Sequence, residues 1–76
     1  MEFEKLRKII AEVLSLDEEE INMEMSFMND LGADSLDIFQ IIIGIEEEFD
    51  IEITNEEVEK IVTVADAAEK IKTAIN

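Results

Sequence analysis

The chain has 76 residues, room for one domain with a modest core. It holds no Cys and no His, which removes disulfides, thiolate chemistry, the usual general base and the commonest metal ligand. Its formal net charge is −15, and 17 acidic residues with no basic one lie between Ile9 and Glu59. An autonomous enzyme of nucleophilic or zinc type is hard to build from this inventory.

That charge layout makes nucleic acid a poor partner, since phosphate binding needs Lys and Arg. Basic protein surfaces are favoured, because a one-signed field speeds encounter and weakens with salt. The same field repels itself within the compact state. Added salt, or millimolar calcium or magnesium, is therefore expected to raise the melting temperature. A hydrophobic fraction of 47% supports a packed core rather than a disordered chain. No apolar run approaches the roughly 18 residues of a membrane span. No basic-then-apolar leader opens the chain at Met1, so a cytoplasmic location and no membrane span are expected.

Pro is absent and Gly occurs only at Gly32 and Gly44. A chain so poor in breakers, and rich in Glu, Ile, Leu and Ala, reads as all-α. Phe3, Leu6, Ile10, Val13 and Leu14 recur at steps of three and four, a helix ending near Ser15. Residues 16–34 lose the pattern. Asp17 to Glu20 has the acidic character of a helical turn's start, and Ile21, Met23, Met25, Phe27, Met28 and Leu31 follow irregularly. A loop this long inside a small domain tends to be functional. Its apolar side chains imply that it is pinned across the core, and core packing is the simplest role for each Met.

A second helix is predicted from Ser35 to about Phe49, capped by Asp34 or Ser35. Ile38, Ile41, Ile42, Ile45 and Phe49 form its core stripe, with Phe39 on the flank. Leu36, Gln40, Ile43 and Glu47 form another face, edged by Asp37, Gly44 and Glu46. That face mixes large apolar residues with acids, more than a plain scaffold helix needs. Asp50 to Ile53 alternates like a strand but has no partner strand, so it reads as an extended connector. Thr54 with Glu57, and Thr63 with Asp66, fit capping boxes for two further helices. Val58, Ile61 and Val62 are the inner face of the first of these. Val64, Ala67, Ala68, Ile71 and Ile75 share one side of the last, and Lys70 and Lys72 near its end suit the helix dipole. The expected architecture is a single domain over 1–76. It is a small four-helix bundle of three longer helices and one short helix, with a long first loop and near-antiparallel packing.

The segment Leu31-Gly32-Ala33-Asp34-Ser35-Leu36-Asp37 is where chemistry can be placed. Ser35 opens a helix, where free amides and the positive dipole end favour phosphate. The chain supplies no base to activate its hydroxyl. Ser35 is thus a poor nucleophile alone and a good acceptor for a phosphate group delivered by another enzyme. On local sequence alone, an ordinary N-cap serine is the stronger reading. No Walker loop, dinucleotide glycine pattern or EF-hand loop is present. No catalytic or metal-ligating set is assigned, and paired carboxylates on a convex bundle with no obvious cleft make glycosidase-like chemistry improbable.

The run Asp30-Leu31-Gly32-Ala33-Asp34-Ser35-Leu36-Asp37, preceded by Ser26-Phe27, resembles acyl carrier proteins of bacterial or organellar fatty-acid synthesis. So do Glu46 to Ile53, Asn55-Glu56-Glu57 and Thr63-Val64, so that the match covers nearly the whole chain. The resemblance implies a covalent 4′-phosphopantetheine on Ser35, taken from coenzyme A by a phosphopantetheinyl transferase. Acyl groups would ride as thioesters on its thiol, a sulfur imported into a chain without Cys. It implies a non-catalytic carrier, expected to be monomeric, and acyl chains tucked between the helices. It also implies fatty-acid synthesis enzymes that bring basic patches to the second helix. On this sequence the docking residues are Asp34, Leu36, Asp37, Gln40, Ile43, Glu46 and Glu47. Departures from the pattern are Gln40 for an acid, Thr54 for Pro, Ile38 for Thr and Gly44 for Ala. The last is expected to cost about 0.5–1 kcal/mol of helix stability. Gln40 leaves open a carrier for a specialised polyketide or other acyl or aminoacyl pathway. The reading from another class is an unmodified acidic helical adaptor for basic proteins.

Overall fold

The structure, a computed structural model, describes residues 2–75, apart from the Glu2 side chain. Four α-helices follow in order: α1 (Glu2–Leu14), α2 (Ser35–Phe49), α3 (Asn55–Lys60) and α4 (Val64–Ile75). A single 3-10 turn, Glu18–Glu20, sits in the long first loop. The all-α expectation holds, with three longer helices and one short one.

The stripe of α1 packs as its spacing requires. Leu6 and Ile10 are fully buried, and Phe3, Val13 and Leu14 pack against them. On α2, Ile41, Ile42 and Ile45 are buried, with Ile38 and Phe49 half-buried beside them. Val64, Ala67 and Ile71 carry α4 into the same core. Each fully buried Leu or Ile contributes about 1.5–3 kcal/mol.

Helices α1 and α2 stop by one device without a glycine. Ser15 and Asp50 both adopt the left-handed conformation, with φ of 57° and 54°. The next amide then turns back to the last helical turn, Leu16 N–H onto the Ala11 carbonyl and Ile51 N–H onto the Glu46 carbonyl. The segment 51–54 forms no strand, as its lack of a partner required, and the Ile53 amide donates to Glu46 Oε2 at 2.9 Å.

The cap at α3 is half of the predicted box. Thr54 Oγ1 accepts the Glu57 amide, but its hydroxyl donates to Glu57 Oε1, so that carboxylate does not reach back to the backbone. The cap at α4 is the full box, Asp66 N–H to Thr63 Oγ1 and Thr63 N–H to Asp66 Oδ2. Val62 N–H also donates to Asp66 Oδ2. These backbone hydrogen bonds, from Thr63 first, hold the Asp66 carboxyl below its ordinary value of 3.8.

The long loop is pinned as expected, by Ile21, Phe27 and Ala33, all buried. It also pairs with the α3–α4 connection. Phe27 N–H donates to the Val62 carbonyl, Val64 N–H to Met25, and Ala65 N–H to Met23, around an isolated antiparallel bridge between Ser26 and Thr63.

Several expected core positions lie outside the core. Met28, Phe39, Val62 and Ile75 are exposed, and Met23 is too. Helical spacing fixes a face but not what covers it. Ile43, which another helix was as apt to cover, is also exposed. Lys70 does more than answer the α4 dipole, since it pairs with Glu57 on α3. The expected penalty at Gly44 is also revised. A Cβ there would stand 2.9 Å from Ile9 Cγ2, so the missing side chain is what lets α1 and α2 approach.

Candidate functional site

The approach to Ser35 is built by two short-range devices. Ser26 Oγ accepts the Asn29 and Asp30 amides while Ser26 N–H donates to Asp30 Oδ2, closing a tight turn. Gly32 then takes a φ of 69°, which L residues adopt at a cost of about 1–2 kcal/mol. This turn drops Ala33 into the core, where its amide donates to the Phe27 carbonyl at 2.8 Å. It leaves Asp34 at the N-cap.

Asp34 is the cap of α2, not Ser35. Its Oδ1 accepts the Asp37 amide at 2.9 Å, and its own amide donates to Asp37 Oδ2 at 3.3 Å. The spacing carried this signal. A capping box needs a partner three residues on, which Asp34 has in Asp37 and Ser35 lacks in Ile38. Ser35 is therefore the first helical residue, exposed, and among the described residues no hydrogen bond engages its hydroxyl. The ordinary N-cap role that local sequence favoured for it is taken by its neighbour.

Beside Ser35 opens a cavity of about 610 Å³, contrary to the expectation of a convex surface without a cleft. Phe27, Ile38, Phe39, Val58 and Ile61 supply apolar wall, and Asn29, Asn55 and Glu59 supply polar edge. Three exposed apolar residues, Met28, Phe39 and Val62, all border it. None of the cavity residues outside α2 was singled out as functional from sequence. The signal available was Asn55, Val58, Glu59 and Val62, spaced as one helical face that mixes polar and apolar groups.

The predicted docking residues separate into two groups. Asp34 and Asp37 spend their carboxylates on each other's amides, and Glu46 accepts the Ile53 amide. Leu36, Gln40, Ile43 and Glu47 are exposed, with Leu36 at 66% and Ile43 at 51%. Two large apolar side chains thus stand in solvent among acids. No helix among the described residues is long and apolar enough to cross a membrane.

An exposed, unengaged hydroxyl at a helix N-terminus, opening onto an apolar cavity, fits a covalently held phosphate arm with an apolar load. Comparison with known proteins points the same way. Residues 4–71 match the family model described as the phosphopantetheine attachment site. An acyl carrier protein of Clostridium acetobutylicum is 56% identical over 72 residues, 95% of this chain and 94% of that protein. A solved Mycobacterium tuberculosis structure assigned as an acyl carrier protein superposes with a TM-score of 0.91 at 33% identity, covering 96% of this chain and 97% of that one. The acyl carrier protein of Enterococcus faecalis superposes at 0.80 with 30% identity, covering 96% and 92%. The chain belongs to the acyl carrier protein family, whose prosthetic group is 4′-phosphopantetheine.

Proposed function

We propose that this chain is a non-catalytic carrier of acyl intermediates in fatty-acid synthesis, with the 4′-phosphopantetheine arm on Ser35. The observation that carries the assignment is the free Ser35 hydroxyl beside the cavity, with capping delegated to Asp34. In the loading step a phosphodiester forms to Ser35 Oγ and the pyrophosphate link of coenzyme A breaks. The adenosine bisphosphate leaves, and the serine proton passes to the transferase. The chain itself contributes a presented hydroxyl and a helix N-terminus that favours the phosphate. The absence of His and Cys fits a protein whose chemistry is brought to it. Acyl chains of suitable length would shelter against Phe27, Ile38, Val58 and Ile61.

Incubation with coenzyme A and a broad-specificity phosphopantetheinyl transferase, followed by intact mass measurement, tests this reading. The expected result is a gain of one phosphopantetheine that Ser35→Ala abolishes. No gain with a competent transferase overturns it and leaves an acidic adaptor. The partners are proposed to be fatty-acid synthesis enzymes with basic patches, docking on Leu36, Gln40, Ile43 and Glu47 beside the Asp34–Asp37 cap and Glu46. Glu47→Lys is then expected to slow acyl transfer mainly through association, with a deficit that shrinks at high salt. Unchanged kinetics would move the docking surface elsewhere.

A further inference from the structure

Helix α3 stands between two spaces. Its face bearing Asn55, Val58 and Glu59 lines the 610 Å³ cavity beside Ser35. Its opposite face, with Glu57 and Lys60, lines a second cleft of about 270 Å³ whose far wall is Lys70 and Thr73 of α4. No residue within α3 is buried. Ile53 before it and Ile61 after it are buried and pin its two ends. Between those pins the helix is held by two opposed contacts. Val58 is half-buried against the core on the cavity side. Glu57 pairs with Lys70 across the other cleft, its second carboxylate oxygen held by the Thr54 hydroxyl.

Burial of apolar surface draws α3 into the cavity. The ion pair draws it the other way, toward α4. We propose that the Glu57–Lys70 pair is a specificity-determining tether that holds α3 off α2 and so sets how wide a cargo the cavity admits. This rests on the carrier reading above. The two side chains are 31% and 29% exposed, so the pair is neither free in solvent nor a buried charge. An ion pair so placed shifts an equilibrium by a few-fold and leaves the fold intact. Without it, the middle of α3, led by Val58, settles into the cavity toward α2, and the empty space narrows. The charge on Lys70 then acts on cargo it never touches, through the position of a wall.

The test uses the unmodified chain and a neutral apolar probe, N-phenyl-1-naphthylamine, since an anionic dye would be repelled by the −15 charge. Lys70→Met is expected to weaken probe binding roughly two- to five-fold. It should also strengthen the methyl NOE between Val58 of α3 and Ile38 of α2, which both line the cavity. Lys70→Arg should keep wild-type affinity. Lys72→Met, the same charge change at a residue that lines neither space, should leave affinity unchanged; Lys72 is exposed in the last turn of α4. Unaltered helical circular dichroism in each variant excludes unfolding as the cause. Probe affinity that is unchanged or tighter in Lys70→Met overturns the tether. Because neither readout involves Ser35 modification, failure here leaves the carrier reading standing, and failure of loading leaves the tether measurable.

Discussion

The two sides of α2 meet different surroundings. Toward α1 and α4, Ile41, Ile42 and Ile45 are closed off from solvent, and α1 comes so near that a Cβ on Gly44 would stand 2.9 Å from the Ile9 side chain. Toward α3, Ile38 and Phe39 face a cavity, and the helix beyond it buries no residue of its own. The first side resembles a close-packed solid, where a missing methylene is felt. The second is a wall with space on both faces, pinned at its ends. Stability is concentrated in the first, and room to accommodate a guest in the second.

The contrast is broken most directly at Ile45 and Val58. Ile45→Ala is expected to cost about 2–5 kcal/mol in urea unfolding. Val58→Ala, at a half-buried site against a void, should cost about 1 kcal/mol or less. Equal losses would erase the distinction. At the α1–α2 contact, Gly44→Ala is expected to lose about 1–2 kcal/mol, because overpacking against Ile9 outweighs the gain in helix propensity. In an Ile9→Ala background the same change should instead stabilise by up to about 1 kcal/mol. Stabilisation by Gly44→Ala alone would show that Ile9 yields freely.

Asp66 tests the seam where the two sides meet. Its carboxyl titrates lower in the fold than in the unfolded chain. Its contribution is therefore fully present above the ordinary value of 3.8 and fades as pH falls through the lowered folded value. Asp66→Asn should be less stable at neutral pH and lose less on acidification. Parallel acid profiles for the two proteins would exclude that role. The smallest effect is expected at Val62→Ser, within about 0.5 kcal/mol, since that side chain is 57% exposed at the cavity border. A larger loss would mean that the cavity wall carries stability after all.

Much of the packed side was legible in the sequence. The stripes of α1 and α2 and the Thr63–Asp66 box follow from local spacing, which the core and the cap then satisfied. The open side was less so. Phe39 borders the core stripe of α2, and periodicity cannot tell a face covered by a neighbour from one left over a void. Val62, expected on the inner face of the third helix, lies beyond its end at Lys60. Gly44 looked like a flaw because its reason, Ile9, is a contact between distant parts of the chain. At the site, Ser35 was singled out from its neighbours, and the choice between Asp34 and Ser35 as cap, left open by propensity, is decided by the pairing of Asp34 with Asp37 that the spacing contained.

That division of labour at the start of α2 has a practical consequence. Because Asp34 holds the helix end, Ser35 can be replaced without loosening the turn, the cavity or the face bearing Leu36 and Ile43. With the arm on Ser35 as proposed, Ser35→Ala is expected to be a blank. It would offer enzymes the whole outer shape of the carrier, occupy them, and deliver nothing. Added in excess to a reconstituted pathway, such a decoy would report which steps are limited by recognition of the protein and which by the cargo it brings.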